Sequence, residues 1–178
     1  MQTLERTLGS HWFFFPEGVA YTVPSAGTCA RESKPGATDT GWIDVGVIED
    51  AEDEPIQEEE YPIFRPSPGR LVKYRNLGSK VTQKGSGTCK QFSALAAQVL
   101  YRTAALTTAS TQFNRLAGKK VVGWLKRQVY SGEDDSAVIV EDIFVELKVK
   151  SAVKVGAGLA EVQFEYEVLQ STLNTATI

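Results

Sequence analysis

The sequence contains a single histidine, His11, among its 178 residues. A serine or cysteine nucleophile that is activated by an imidazole would therefore depend on this one residue. His11 directly precedes an apolar aromatic run at residues 12–15, a position that is typical of a histidine at the edge of a core strand. The sequence accordingly predicts no catalytic residues, and His11 is the best candidate that an enzyme interpretation would have.

A glycine-rich segment at residues 85–90 superficially resembles a phosphate-binding loop. The spacing G-x-x-x-x-G-K-[ST], in which backbone amides and a lysine surround a phosphate, is missing, and the helix that follows begins too late. Residues 84–90 are predicted to be a glycine-punctuated strand before the helix, and the glycine-rich segment is better explained as a flexible strand end or a hairpin tip. The sequence therefore predicts no nucleotide or other cofactor.

Acidic residues are concentrated at residues 49–60, which hold eight carboxylates. Such a cluster could bind a hard cation, but the alternating D-x-[DN]-x-[DN]-G order of a calcium loop is absent. The only cysteines, Cys29 and Cys89, do not have the spacing of a metal site and are predicted to be reduced thiols. A solvated acidic loop explains the cluster better than a metal site does.

The two signs of charge are segregated along the chain. Residues 35–64 contain ten acids and no lysine or arginine, whereas residues 61–132 contain thirteen lysines or arginines and no acid. Blocks of this kind indicate a solvated loop or an interaction surface. They could pair within one copy, or they could attract neighbouring copies through head-to-tail contacts. The sequence leaves both alternatives open.

The basic block could also bind nucleic acid, because several cations lie on adjacent strand candidates with Tyr74 between them. The overall pI of about 5.3 and the acidic stretch argue against a general affinity for phosphates. These cations are therefore predicted to lie on solvated strand faces or to pair with the acidic stretch. They are Arg70, Lys73, Arg75, Lys80 and Lys84.

Length and composition predict one globular domain that spans residues 1–178. The chain is 42% hydrophobic and 23% charged, which is typical of globular domains and is unlike disordered or fibrous chains. The apolar run near the N-terminus is far shorter than the ~20 residues that span a bilayer. We therefore expect no membrane association, and we expect folding in a cytoplasm.

A hydrophobic period of two dominates the sequence and predicts strands. The clearest run is at residues 162–168, where Val162, Phe164, Tyr166 and Val168 alternate with polar residues. Similar alternation occurs at residues 43–47, 121–130 and 143–149, and shorter strands are predicted at 71–74 and 81–83. Turn residues at 66–69, 76–78, 132–135 and 156–158 separate these runs.

One helix is predicted, at about residues 93–102. Ser93 can cap it, and Leu95, Ala96 and Val99 follow at helical spacing. The predicted fold is therefore mainly β: an antiparallel β-sandwich or barrel with one flanking α-helix and a long acidic loop. The acidic stretch, with Pro55 inside it, is predicted to be an extended loop over residues 49–64 or the start of a protruding hairpin. Residues 170–178 are predicted to form a C-terminal tail.

Several segments together resemble the major tail tube proteins of long-tailed bacteriophages, which are related in fold to the tube proteins of type VI secretion systems and pyocins. The run Thr-Gly-Trp-Ile-Asp-Val-Gly-Val-Ile at residues 40–48 is similar to a family strand that leads into an acidic or polar loop. Residues 68–82 and 92–96 resemble the family's strand pair and its short helix. Residues 138–149 and 160–172 resemble its closing strands, whereas residues 1–40 have no identified counterpart.

The resemblance implies a non-enzymatic structural subunit. Six copies would form a ring, and rings would stack into a hollow tube that conveys DNA without binding it specifically. Partners would be further copies of the chain and other tail proteins: the tape measure, the tail terminator, and the baseplate or tip. The protein would reside in the virion tail after assembly in the bacterial host cytoplasm.

The resemblance and the charge blocks together suggest two sets of candidate residues. Acids that repel phosphates would face the lumen; the candidates are Glu161, Glu165 and Glu167. Acidic and basic positions of neighbouring rings would meet at the stacking contact. These candidates are Glu52, Asp53, Glu54, Glu58, Glu59, Glu60, Arg70, Lys73, Arg75 and Lys80.

Two other structural roles remain open. The chain could be a different virion or injection-system protein, such as a tail-completion, head-decoration or contractile-tube protein, which would differ in the geometry of its oligomer. It could also be a monomeric β-sandwich that binds carbohydrate or protein on Trp12, Trp42 or Trp124.

Overall fold

Alternating apolar side chains drive strand formation along most of this chain. The computed structural model describes residues 7–90, 93–103, 118–131, 137–150 and 161–177. The elements are β1 (Thr7–Pro16), β2 (Ala20–Tyr21), β3 (Gly27–Thr28), β4 (Ile43–Asp53), β5 (Gln57–Ser67), β6 (Arg70–Thr82), β7 (Lys84–Cys89), α1 (Ala94–Tyr101), β8 (Val121–Ser131), β9 (Ala137–Val149), β10 (Val162–Val168) and β11 (Thr175–Thr177).

Six antiparallel strands close into a barrel. Their order is β10-β7-β4-β1-β8-β9, and β10 pairs with β9 to complete the ring. β11 extends the ladder of β9 at residues 140–142. The predicted antiparallel β fold is confirmed. Residues 1–40, for which the sequence showed no counterpart, contribute the barrel strand β1. Part of the predicted C-terminal tail forms the strand β11.

The barrel interior is filled by every second side chain of its strands. On β10, Val162, Phe164 and Tyr166 are buried while the residues between them are partly exposed. Trp12 and Phe14 of β1 enter the same core from the opposite side of the barrel. Burying aromatic rings of this size is the main source of stability in such a core. The period of two therefore predicts this layer correctly.

The glycines of β7 make room for the aromatic rings. A Cβ atom at Gly87 would lie 2.3 Å from Ile48 Cγ2 and 2.9 Å from Trp12, and both distances are too short for real contacts. β7 pairs along its length with β4 and β10. The prediction of a flexible strand end or hairpin tip at residues 85–90 is therefore wrong, because these glycines serve close packing inside a paired strand.

The predicted helix is confirmed as α1. The Ser93 hydroxyl oxygen accepts a hydrogen bond from the Ala96 amide at 3.2 Å, which caps the first turn. Leu95, Ala96 and Val99 are buried in the barrel core. The helix follows β7 and closes the barrel end at which β7 finishes and β8 begins, which we call the helix end. The opposite end, where β4 finishes and β7 begins, is the hairpin end.

The acidic stretch forms part of a long hairpin. Strands β5 and β6 pair with each other from Gln57–Thr82 to Ser67–Arg70 and leave the barrel between β4 and β7. Of the two predictions for the acidic stretch, the structure shows the protruding hairpin. Strands occupy most of residues 49–64, which the other prediction treated as an extended loop. The turn at residues 66–69 is confirmed, with Gly69 at φ 76°. The turn predicted at residues 76–78 is wrong, because these residues lie inside β6.

Two predicted features lie outside the described residues, namely the turns at residues 132–135 and 156–158. In the part of the chain that the structure describes, no helix is long and apolar enough to cross a membrane. Within the same residues, no group of histidine, cysteine, aspartate and glutamate side chains is arranged to hold a metal ion.

A second apolar cluster lies on the outside of the barrel wall. Phe15, Trp124 and Phe144 are buried there together with Cys29. The segment between β1 and β4 covers this cluster, and its Trp42 ring packs edge-on against Phe15 at 5.5 Å. The residues between β1 and β4 are therefore a structural cover for the wall.

Asp39 organises that cover through hydrogen bonds to backbone amides. Its carboxylate accepts from the amides of Thr22, Gly41 and Val23 at 2.7, 2.9 and 3.0 Å. These bonds, led by the one from Thr22, hold the pKa of Asp39 below its usual value. A lowered pKa adds stability above the unfolded-state pKa of about 3.9, and this stability is lost as the pH falls through the folded-state pKa.

We therefore expect Asp39→Asn to lower stability at pH 7 and to flatten its decline toward pH 3. Urea unfolding of the wild type and the variant at pH 7, 5, 4 and 3 measures both effects. The difference between the two proteins should shrink as the pH falls. A difference that stays constant over this range would contradict the role given to the carboxylate.

Candidate assembly surface

The β5–β6 hairpin exposes many apolar side chains. In the described residues its strands pair only with each other. Isolated two-stranded hairpins are marginal in water, and large exposed apolar patches mark interaction surfaces. The exposed fractions of its large apolar side chains lie between 43% and 68%. These residues are Tyr61, Phe64, Leu71, Val72, Tyr74 and Val81.

Charge is divided along the length of the hairpin. Its root, next to the barrel, carries the acids Glu58, Glu59 and Glu60, and its tip carries basic side chains. In the ladder, Glu59 is the register partner of Lys80. The predicted acidic and basic contact residues therefore largely share one hairpin, and they do not form two separate faces. The basic tip positions are Arg65, Arg70, Lys73 and Arg75.

Ion pairs join the acidic and basic blocks within one copy. Glu49 pairs with Lys90 at 2.8 Å, and both side chains are about half exposed. Asp53 pairs with Arg127 at 2.7 Å. Internal pairing therefore accounts for part of the charge segregation. Asp53, which was predicted to contact a neighbouring ring, is bound to the barrel of its own copy.

Arg127 is the buried centre of a polar network at the root of the hairpin, in which the Asp53 side chain is 45% exposed. Its side chain is 10% exposed and points into the barrel. Nη1 and Nη2 donate to the two carboxylate oxygens of Asp53 at 2.7 and 2.8 Å, and Nε donates to Glu141 at 2.8 Å. The Tyr166 hydroxyl accepts from Arg127 and donates to Asp53. Because Asp53 ends β4, this network fixes the point at which the hairpin leaves the barrel.

The pKa values in this network favour the charged pair. Burial opposes the charge of Asp53, but hydrogen bonds from Arg127 and Tyr166 outweigh it and lower its pKa. Burial likewise opposes the charge of Arg127, but the Asp53 carboxylate raises its pKa further above the usual value. Burial raises the pKa of Tyr166, so its hydroxyl stays protonated. The network is therefore an ion pair at neutral pH.

The three candidate lumen acids lie on and beside β10. Glu161 is exposed, and Glu165 and Glu167 are partly exposed on the outside of the barrel. Glu167 accepts a hydrogen bond from Lys148 at 3.1 Å, which lowers the pKa of Glu167. The face that carries these acids is therefore mixed in sign.

A groove at the helix end carries a concentration of cations that the sequence analysis did not single out. Apolar residues of α1, β8 and β9 line it, and Glu146 is the one acid among the described residues of its lining. Glu146 pairs with Lys120 at 2.9 Å and with Lys148 at 3.7 Å. The cations come from three separate parts of the sequence, and the fold brings them together. They are Arg102, Lys119, Lys120 and Lys148.

His11 and the tryptophans have structural surroundings. His11 Nε2 lies 2.7 Å from Asp44 Oδ1, and its ring stacks on Phe13 with centroids 4.5 Å apart. Trp12 and Trp124 are fully buried, so neither can hold a ligand on its ring. The binding-module alternative therefore loses two of its three candidate residues.

No protein-family model matches the chain, and a search of the curated proteins finds no match. A search of solved structures finds similarity to the tail tube of phage SPP1, determined by solid-state NMR and cryo-electron microscopy. The two chains are 15% identical, the match covers 96% of this chain and 78% of the other, and the TM-score is 0.42.

Proposed function

We propose that this chain is a structural subunit of a phage tail tube and has no enzymatic activity. Six copies form a ring, and rings stack into a hollow conduit that delivers DNA. The subunit contacts the tape measure, the terminator and the baseplate or tip of the virion tail, and it assembles in the bacterial host cytoplasm. DNA passes through without specific binding. The proposal rests on the order of the sequence segments and on one structural observation.

That observation is the exposed hairpin. Leu71 is 68% exposed and Val81 is 66% exposed on strands that pair only with each other among the described residues. A monomer would leave this apolar area in water, at a cost of about 25 cal/mol for each Å² that a partner could bury. A second copy that covers the hairpin removes the cost, because exposed strand edges and apolar faces are the usual means of strand-mediated association.

The position of the hairpin also favours an open-ended assembly. It leaves the barrel at the hairpin end, whereas α1 closes the helix end. A hairpin that reaches toward the helix end of the next copy makes a heterologous contact, and such a contact can repeat without closing. Stacked rings need a contact of this kind between successive layers.

Removing the hairpin tests the proposal. Asp53 and Gly85 are register partners, and the Glu54 amide donates to the Lys84 carbonyl at 2.8 Å. Residues 55–83 can therefore be replaced by Asn-Gly, a two-residue turn that suits antiparallel strands. We expect a folded, monomeric barrel by circular dichroism and sedimentation, whereas the wild type forms tubes in negative-stain electron microscopy. A wild-type protein that remains monomeric at high concentration would overturn the proposal.

A point substitution provides a matched comparison. Leu71→Ser removes apolar surface from the hairpin, where Leu71 is 68% exposed, and Val19→Ser removes it from an exposed site outside the hairpin, where Val19 is 40% exposed. We expect Leu71→Ser to reduce tube formation and Val19→Ser to leave it unchanged. Equal effects of the two substitutions would mean that the hairpin has no special part in assembly.

A further inference from the structure

We propose that the cationic groove at the helix end is the docking site for the acidic hairpin root of a second copy. The inference rests on the proposed self-assembly and adds to it the surface that receives the hairpin. The groove is formed by the C-terminal turn of α1, the start of β8 and the end of β9. The hairpin root is the segment in which β4 passes into β5, at the opposite end of the barrel.

The groove has cations that its own copy does not neutralise. Lys120 and Lys148 share Glu146, and Lys148 also binds Glu167. In the described part of the chain, neither Arg102 nor Lys119 has an ion-pair partner. The Lys119 amide donates to the Arg102 carbonyl at 3.1 Å. This bond holds the two residues next to each other at the rim, so their positive charges act on the same approaching surface.

The hairpin root has the complementary composition. Glu52, Glu54 and Glu58 are exposed there, and none of them forms an ion pair within the residues that the structure describes. The apolar side chains of Ile56 and Val81 are 64% and 66% exposed at the same root. The root therefore combines carboxylates and apolar side chains with one cation, Lys80, which lies opposite Glu59 in the ladder.

The lining of the groove also has apolar side chains that match those of the hairpin root. Leu100 of α1 and Val149 of β9 line the groove and are partly exposed, whereas the lining residues Val99 and Leu147 are already buried in the barrel core. An occupant with only charged groups would leave Leu100 and Val149 in contact with water, whereas Ile56 and Val81 can cover them. Apolar contact at the centre with charge pairing at the rim is the usual arrangement of a specific protein interface.

The placement of the two surfaces makes the contact directional. Each copy carries one groove and one root, at opposite ends of the same barrel. A root in the groove of the next copy leaves one groove and one root free at the two ends of the pair. Further copies can therefore add at either end, and opposite charges orient them before contact.

Charge reversal tests this inference. Variant R carries Arg102→Glu and Lys119→Glu, and variant A carries Glu52→Lys and Glu54→Lys. Each variant alone presents like charges at every contact, so we expect its critical concentration for tube assembly to rise about tenfold or more. The chain with all four substitutions restores opposite charges at every contact. We expect this chain to assemble at close to the wild-type concentration.

A matched control separates the groove from net charge. Lys119→Glu and Arg31→Glu change the net charge equally, and Arg31 is exposed outside the groove. We expect only Lys119→Glu to weaken assembly, and raised salt should reduce the difference because it screens exposed charges. Sedimentation and electron microscopy over a concentration series measure each protein, and circular dichroism confirms that each is folded.

The outcomes distinguish the inference from the proposed function. Loss of assembly in R and in A together with recovery in the fourfold variant supports the groove as the docking site. Normal assembly of R overturns it, and so does a loss of assembly in R and A that the fourfold variant does not reverse. In both cases the proposed function still stands if the wild-type protein forms tubes. The inference is also overturned if the wild-type protein binds duplex DNA, variant R does not, and the assembly of R is unchanged. A wild-type protein that stays monomeric overturns both.

Discussion

Replacing Arg127 with methionine is expected to destabilise the barrel by about 2 kcal/mol, because it removes the donor of several hydrogen bonds to charged groups, and water replaces only part of them at Asp53, whose side chain is 45% exposed. Methionine fills much of the same volume, so the loss is mainly electrostatic. Asp53 and Glu141 would each lose charge-assisted hydrogen bonds at 2.7–2.8 Å, and the Tyr166 hydroxyl would lose a donor. Urea unfolding of the hairpin-deleted monomer measures the effect without interference from assembly.

Two companion variants identify the cause. Arg127→Lys keeps the charge but cannot make the bidentate contact with Asp53, so we expect an intermediate loss. Arg127→Met combined with Asp53→Asn removes both charges of the closest pair. We expect the loss of unfolding free energy in this double variant to be smaller than the sum of the losses in the two single variants, because each single variant leaves one charge unpaired. Strictly additive effects would show that the two residues do not act as a pair.

The consequence for assembly follows from the position of Asp53. It is the last residue of β4, immediately before the connection to the hairpin. Without Arg127, the side chain of Asp53 keeps only its hydrogen bond from Tyr166 within the described network, so the direction in which this connection leaves the barrel is less firmly fixed. A hairpin that samples several directions must lose more conformational freedom when it docks, and this weakens association.

The barrel and the helix could be predicted from the sequence because their signals are local. On β10, Val162, Phe164 and Tyr166 face one side of a regular pleat, so burial imposes a period of two. For α1, Ser93 supplies the cap and Leu95 and Val99 supply the buried face. In each case the residues that specify the element also form it.

The hairpin was predicted less well because its large apolar side chains stay mostly exposed. Among the described residues β5 and β6 pair only with each other, so burial imposes no alternation on them. The sequence shows acids followed by a mixture of apolar and basic residues, which is compatible with a loop. The break predicted at residues 76–78 failed for a related reason: Gly78 lies at a ladder irregularity opposite Glu59 and Glu60 inside a continuous strand.

The polar network and the groove could not be predicted because both depend on contacts that are distant in sequence. Arg127 and Asp53 are 74 positions apart, and the pattern of β8 does not indicate that a charged side chain points into the barrel. Arg102 and Lys119 are brought together only where the chain leaves α1 and enters β8. The charge blocks did indicate that opposite charges pair, and the structure shows that Glu49 pairs with Lys90 and Asp53 with Arg127 within one copy.

Replacing Gly123 with alanine is expected to cost about 3 kcal/mol, near the upper end of the usual cost of overpacking a core. A Cβ atom there would lie 2.1 Å from the Phe15 carbonyl oxygen and 2.8 Å from Phe14 Cζ. The oxygen belongs to the backbone of the neighbouring strand, so β1 and β8 would have to separate. Gly18→Ala is the control, because no atom lies within 4 Å of the Cβ position at Gly18. Only its φ of 83° is unfavourable for alanine, and this strain costs about 1–2 kcal/mol. Thermal and urea unfolding compare them, and equal losses would mean that strand spacing at Gly123 is not critical.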